Sequence, residues 1–265
     1  MPSSRLLLLA ILLLAGAPAS AQRAPAPVAE ASIGLLVLLK APDAEALRVG
    51  FQNDAPGRAG LTRRGAAEAG AVVLTGVLHL VTSEIGARRA FIPAAALGWG
   101  GYVALRARAE PGFLGDLGLT RRNLGPAFRD ATLAAVGSAA AMAAIGAAQG
   151  SLHLNAHAVP LAAMYPAWGL VQQTLVQGMV ARNLSEAEGL LGSPYVVVPV
   201  TAALFGMVHL PNVRLAAGTT ALGLVFTPLY LKHRNLWPLG LYHGVLGVLF
   251  YFWVLDKDPW TYLEH

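Results

Sequence analysis

Long apolar stretches recur along the chain from Ala69 onward, separated by short polar connections that carry arginines. Their lengths approach the run of about 20 apolar residues that a helix needs to cross a bilayer. A hydrocarbon core offers backbone groups no outside partner, so such segments are expected to be helices. We predict an all-α, polytopic membrane helical bundle with about seven transmembrane helices. The predicted segments are residues 69–85, 90–105, 131–149, 159–181, 194–210, 214–231 and 236–255.

The composition supports a membrane location. The 265 residues are 55% hydrophobic and only 12% charged, against about 25% charged in ordinary soluble domains. The net charge of +5 would suit a nucleic-acid partner, but charges this sparse do not build a binding face. The expected partner is therefore the lipid bilayer, and no nucleic-acid partner is expected. The chain has no cysteine, which excludes disulfides, thiolate metal sites and a cysteine nucleophile.

Arginine and lysine are concentrated in three of the connections. Because basic residues accumulate in cytoplasmic loops, the positive-inside rule predicts which connections share a side of the membrane. The loops expected in the cytoplasm are 106–129, 182–193 and 232–235. The connection 150–158, the turn near Pro211 and the tail at Asp256 are expected on the opposite side.

The amino terminus has the form of a secretory signal. Arg5 precedes an apolar core, Leu6 to Leu14, and Ala19-Ser20-Ala21 provides a cleavage site of small residues. A cleaved signal would place the following residues outside the membrane, whereas the positive-inside rule places them in the cytoplasm, so an uncleaved anchor stays open. The predicted organisation is a signal peptide or anchor over 1–21, a linker and interfacial region over 22–68, amino-terminal membrane helices and a cytoplasmic loop over 69–130, and a membrane core over 131–256.

Five polar residues lie inside the last predicted spans: Gln172, Gln173, Gln177, His209 and His243. Polar groups in hydrocarbon cost free energy, so each is a functional candidate by default. Individually, glutamines are more often hydrogen-bonding contacts between helices, and a single buried histidine is more often a satisfied core residue. Together, on three separate spans, they indicate one site. No acidic residue is expected within the spans.

A second histidine pair, His153 and His157, lies four residues apart in HLNAH. Two histidines at this spacing share a face of a helix and can bind one metal ion. With no third ligand nearby in the sequence, we interpret this pair as a loop coincidence.

Several stretches match known motifs in order and spacing. FGMVH (Phe205 to His209) matches a Phe-x-x-x-His motif and is followed by LPN; LYLKHRNLWPLGLYHGVLG and, earlier, DLGLTRRNLGPAFRDA from Asp116 resemble flanking segments. On these residues, the last roughly 125 residues resemble the CPBP family of intramembrane proteases, also called the CaaX-protease and bacteriocin-processing or Abi family. In that alignment Gln172 and Gln173 occupy the positions of two glutamates and Gln177 that of an arginine. His209 and His243 match the family's two histidines, and Gly247 replaces an asparagine.

The resemblance implies an intramembrane endopeptidase of the bacterial plasma membrane, cleaving membrane-embedded or lipidated peptides. Its implied catalytic residues are Gln172, Gln173, His209 and His243, with Gln177, Phe205 and Gly247 supporting them. It also implies a divalent metal such as zinc on His209 and His243. A glutamine amide cannot accept a proton as a glutamate can, so the acid-base step that the resemblance implies is disfavoured in this sequence. Zinc needs three protein ligands, so the implied metal site is disfavoured as well.

Three functions therefore stay open. The chain is a protease with His209 or His243 as the general base, or a non-catalytic relative that binds membrane peptides as a scaffold or immunity factor, or a small transporter or channel. The absence of an acid within the spans disfavours the transporter. A shared site also requires tilted helices, because His209 and His243 differ in depth by roughly 10 Å when counted from the helix starts.

Overall fold

The computed structural model describes residues 60–261, and every regular element within them is helical. The predicted all-α class is therefore confirmed for this part of the chain. The predicted signal peptide or anchor over 1–21 and most of the linker lie outside the described residues.

Nine α-helices follow one another along the described part of the chain. They are α1 (Arg63–Glu84), α2 (Arg88–Ala109), α3 (Phe113–Leu117), α4 (Leu124–Gln149), α5 (Ala158–Gln173), α6 (Arg182–Ser185), α7 (Pro194–Met207), α8 (Val213–His233) and α9 (Trp237–Leu249). A π-helical segment, Thr174–Ala181, joins α5 to α6, and a second, Phe250–Val254, extends α9. A short 3₁₀ turn, Gly189–Gly192, precedes α7.

Each predicted apolar segment coincides with a helix, but the predicted count of about seven membrane spans is not confirmed. Within residues 60–261, four helical stretches are long and apolar enough to cross a membrane: Arg63–Glu84, Leu124–Gln149, Val213–His233 and Trp237–Val254. Pro194–Met207 is apolar but shorter. At 1.5 Å per residue its length is roughly 21 Å, less than the hydrocarbon thickness of about 30 Å.

Side-chain caps define where several helices begin. The Thr62 hydroxyl accepts a hydrogen bond from the Gly65 amide at 2.9 Å, so α1 begins at Arg63, earlier than the predicted Ala69. Ser193 and Asn212 cap α7 and α8 in the same way. Such caps satisfy backbone donors that the first turn leaves unpaired. The earlier start places Glu68 inside α1.

Glycines allow two pairs of helices to pack closely. Between α5 and α9, a Cβ atom on Gly244 would lie 2.3 Å from the backbone nitrogen of Pro166. Between α7 and α8, a Cβ atom on Gly206 would lie 1.9 Å from the Thr220 hydroxyl. Only glycine permits these approaches, as in small-residue contacts between membrane helices. His243 lies in α9, and His209 lies in the turn that directly follows α7.

The connections separate into two ends of the bundle. At one, which we call the basic end, Arg234 donates to the Ser185 hydroxyl, and the Asn235 amide donates to the carbonyl of Thr120. At the other, which we call the opposite end, the Ser151 hydroxyl donates to the carbonyl of Trp253. The three loops predicted to share the cytoplasmic side thus meet at one end of the molecule.

Candidate functional site

Phe205 lies between the two histidines that were expected to share a site. The centroid of its ring is 5.4 Å from that of His209 and 5.3 Å from that of His243, and both contacts are edge-to-face. Phe205 itself is 1% exposed. The expected difference in depth between the two histidines is therefore bridged by the Phe205 side chain, one turn before His209.

The hydrogen bond of His209 defines the state of its ring. Its Nδ1 lies 2.8 Å from the carbonyl oxygen of Phe205. A carbonyl can only accept, so Nδ1 carries the proton and donates it. In the neutral imidazole the Nε2 atom then has a free lone pair, which can accept a proton.

His243 is held in the opposite tautomer. The amide nitrogen of Gln173 lies 3.2 Å from its Nδ1, and an amide nitrogen can only donate. With the Gln173 amide in this orientation, Nδ1 of His243 accepts and the proton of the neutral ring lies on Nε2; the backbone of Gly169 is a second hydrogen-bond partner of the ring. Gln173 is fully buried and His243 nearly so. The two rings around Phe205 thus offer one proton acceptor and one hydrogen-bond donor.

The other predicted site residues are less closely connected to this group. Gln177 is fully buried, and its amide nitrogen donates to the Thr227 hydroxyl at 3.1 Å. Gln172 is half-buried and forms no side-chain hydrogen bond with another described residue. Gly247 is half-buried, with the Tyr165 ring 3.6 Å from where its Cβ would lie. Of the three glutamines, Gln173 alone hydrogen-bonds a candidate histidine.

Three buried side-chain oxygens near these helices have no hydrogen-bond partner among the described residues: Gln173 Oε1, Gln177 Oε1 and Thr201 Oγ1. Leaving such an acceptor unpaired costs about 1–3 kcal/mol. Thr201 also lines a small cavity of about 60 Å³ between α1, the first π-helical segment and α7, and Phe205 forms part of its wall. The site therefore retains unused acceptor capacity beside Phe205.

The residues of the site do not fit a catalytic metal. Within residues 60–261, no three histidine, aspartate, glutamate or cysteine side chains are placed to hold a metal ion. His209 and His243 would be joined by neutral amides, whereas zinc in proteases takes three ligands that commonly include a carboxylate. We therefore derive no step through a metal.

His153 and His157 do not share a ligand. His157 Nδ1 lies 2.6 Å from an oxygen of Asp258, and His153 Nε2 lies 3.7 Å from an oxygen of Asp256. Each histidine therefore faces a carboxylate of the chain's final described segment. Their role is to join α5 to the end of α9.

The expectation that the spans hold no acid is wrong, because Glu68 lies inside α1 and is 4% exposed. Its carboxylate accepts hydrogen bonds from Tyr102 at 2.6 Å, Asn183 at 2.8 Å and Arg182 at 3.2 Å, and from Arg106. The sequence signal was present: Thr62 before an apolar run marks a helix start, which brings Glu68 into the helix.

Comparison with known families confirms the resemblance over the carboxy-terminal helices. Residues 155–249 match the family model of type II CAAX prenyl endopeptidase Rce1-like proteins. The matched range runs from just before α5 to the end of α9 and contains Gln173, Phe205, His209 and His243. No curated protein and no solved structure matches the chain.

Proposed function

We propose that this integral membrane protein, matched over residues 155–249 to CAAX-type intramembrane proteases, is an endopeptidase that uses His209 as general base and His243 as oxyanion donor. Its substrates are membrane-embedded or lipidated peptides. The single observation that carries the proposal is the placement of the two rings around Phe205, with the Phe205 carbonyl at Nδ1 of His209 and the Gln173 amide nitrogen at Nδ1 of His243, which gives the rings opposite tautomers. A hydrolase without a carboxylate base needs one acceptor and one donor in this arrangement.

In the proposed reaction, Nε2 of His209 removes a proton from a water molecule as the water oxygen attacks the peptide carbonyl carbon. The Nε2–H of His243 stabilises the negative charge on the carbonyl oxygen. The tetrahedral intermediate then collapses, the C–N bond breaks, and the proton on His209 passes to the leaving nitrogen. The products are a carboxylate and an amine, and one water is consumed.

Gln173 acts in this scheme through His243. Its amide holds Nδ1 of His243 as an acceptor, and this keeps the proton on the nitrogen that faces away from Gln173. A glutamate in that position would accept from Nδ1 and shift the tautomer. Gln173 is therefore a positioning residue, while Gln172, Gln177 and Gly247 complete the surroundings.

For the membrane arrangement, we propose that all seven apolar segments lie across or within the membrane, with the basic end in the cytoplasm of a bacterial cell. Short α7 and arginine-bearing α2 would be accommodated by tilt or local thinning of the bilayer. The convergence of the three basic loops at one end supports this orientation.

The test is cleavage of a prenylated carboxy-terminal peptide by the purified protein in liposomes, with products followed by mass spectrometry. We expect slow cleavage by the natural protein and a rate about 10²–10⁴ lower for His209→Ala, because removal of a positioned base has that effect. His153→Ala, an exposed histidine at the opposite end, serves as the matched control and should retain the natural rate.

Two results would overturn the proposal. If the natural protein retains the peptide without releasing product, it is a membrane peptide-binding scaffold or immunity factor. If cleavage occurs only in the Gln172→Glu, Gln173→Glu double variant, the natural site is catalytically silent.

A further inference from the structure

The helices α1 and α2 enclose a cleft separate from the histidine site. Its volume is about 480 Å³, within the range of about 300–1,000 Å³ that ligand sites commonly have. Its lining is Ala67, Ala71, Thr75 and Leu78 from α1, and Phe91, Ala95, Gly98, Trp99 and Tyr102 from α2, with Arg64 and Glu68 at the basic end.

The packing of α2 keeps this cleft open. No residue of α2 is fully buried. Three polar contacts hold it to α1: the Trp99 indole donates to the Thr75 hydroxyl at 3.1 Å, Tyr102 donates to Glu68 at 2.6 Å, and Arg106 forms an ion pair with Glu68. Because much of the lining consists of small residues, Ala67, Ala71, Ala95 and Gly98, the helices leave a groove instead of interlocking.

The polarity of the cleft runs along its length. Away from the basic end the walls are mostly apolar, and α1 is long and apolar enough to cross a membrane. At the basic end, α1 and α2 carry four arginines, Arg63, Arg64, Arg106 and Arg108, against Glu68 and Glu110, an excess of two positive charges. At the other mouth, Arg88 and Arg89 stand against Glu84, an excess of one. An apolar groove that ends in a cationic patch is complementary to an acyl chain with an anionic headgroup.

The ion pairs leave part of this charge uncompensated. Arg64 and Arg106 both bind Glu110, and Arg106 also binds Glu68. Arg63 and Arg108 are exposed and make no ion pair with another residue of the described region. Arg63, one turn before the lining residue Ala67, therefore contributes positive charge at the mouth of the cleft, whereas Arg108 lies on another face of α2.

We propose that the α1–α2 cleft binds one anionic phospholipid, with an acyl chain between the two helices and the phosphate at the arginines of the basic end. The site is independent of the proposed peptidase activity, since it uses neither histidine. Its occupant is fixed by charge: a zwitterionic lipid offers the same chains without the net negative headgroup.

The test is native mass spectrometry of the full chain in detergent, titrated with phosphatidylglycerol or with phosphatidylcholine of the same acyl chains. We expect one phosphatidylglycerol to bind preferentially. Gly98→Leu should abolish that preference, because the new side chain enters the cleft without meeting any neighbour within 4 Å. Gly100→Leu is the matched control: it is equally exposed and free of neighbours, but it lies about 200° around the helix.

A second pair of variants tests the headgroup. The double variant Arg63→Gln, Arg64→Gln should bind phosphatidylglycerol about 30-fold more weakly, since each arginine near an anionic headgroup contributes roughly a fivefold factor. Arg121→Gln, Arg122→Gln removes the same charge from exposed positions of another loop at the same end and should have little effect.

The proposal fails if both lipids bind equally, or if Gly98→Leu and Gly100→Leu behave alike, since the lipid is then merely annular. It also fails if the two arginine pairs have equal effects, which would mean a diffuse charge effect. If the natural protein binds no phosphatidylglycerol, the cleft is filled by another part of the chain or by a second copy. Thermal unfolding of each variant verifies that it is folded.

Discussion

Glu68 shows how one buried carboxylate connects three helices at the basic end. It receives Arg106 from α2 and Arg182 from α6, and their side chains are 14% and 12% exposed. Both guanidinium groups also lie over the ring of Phe113, at 4.3 and 5.9 Å from its centroid. The buried carboxylate is stabilised by its ion pairs with the two arginines, and the same ion pairs stabilise the buried guanidinium groups.

We therefore predict that Glu68→Gln destabilises the protein by about 3 kcal/mol or more, because it leaves buried guanidinium charge without its partner. The measurement is the thermal unfolding midpoint in detergent. Glu110→Gln is the control: it makes the same chemical change in the same network, but Glu110 is 40% exposed, and water replaces the lost contact. Equal losses in the two variants would contradict the account of Glu68.

Among the helices, the pairing of α5 with α9 brings Gln173 to His243. The contact depends on glycines that face backbone atoms: a Cβ on Gly169 would lie 2.6 Å from the carbonyl oxygen of Gly240. A methyl group at Gly244 would approach the backbone of Pro166 even more closely. Backbone cannot rotate away as a flexible side chain can, so the helices must separate.

We predict that Gly244→Ala lowers stability by about 1–3 kcal/mol, the usual cost of overpacking, and also reduces peptide cleavage, because the separation breaks the hydrogen bond between Gln173 and His243. Unfolding midpoints and liposome cleavage rates measure the two effects. Gly137→Ala in α4 adds the same methyl group where no atom lies within 4 Å, so it should leave both unchanged. A Gly244→Ala protein with natural stability would refute the close packing.

Hydrophobic patterning predicted where the helices lie but not how they are wound. The seven apolar segments match helices, and capping residues such as Thr62 would also have predicted their starts. The π-helical segment Thr174–Ala181 has no pattern of its own, since an inserted backbone residue follows from tertiary packing. Nor did the sequence predict which of Gln172 and Gln173, the last two residues of α5, faces the site, because neighbouring residues lie on different faces of a helix and packing decides which face is buried.

The candidate site was partly accessible from the sequence. The i, i+4 spacing predicts that Phe205 and His209 share a helix face, and they do contact each other. The proximity of His243 was predicted from the grouping of rare polar residues on separate spans and from the resemblance, but not from any local spacing, because residues on separate helices are related by packing. The pairing of Glu68 with Arg182 is likewise a contact over a long sequence separation that no local pattern encodes.

At the scale of the whole molecule, the opposite end is closed by a contact between the beginning of α5 and the final described segment. Asp258 accepts hydrogen bonds from Asn155 and His157, and the His157 ring stacks on Trp260 at 5.3 Å. Partial burial raises the pKa of the Asp258 carboxyl, but the hydrogen bonds from His157 and Asn155 outweigh it, so the pKa lies below its usual range.

Because the pKa of Asp258 is lower in the folded protein than in the unfolded chain, its contribution to stability is fully present above the unfolded value of about 3.9. That contribution disappears as the pH falls through the folded value.

We predict that Asp258→Asn lowers the unfolding midpoint at neutral pH and that the difference from the natural protein shrinks below about pH 4. Asp256→Asn, at a carboxylate that is 64% exposed and 3.7 Å from its histidine, should change the midpoint much less. A difference between Asp258→Asn and the natural protein that stays constant down to the most acidic pH would show that the Asp258 charge does not hold the final described segment to the beginning of α5.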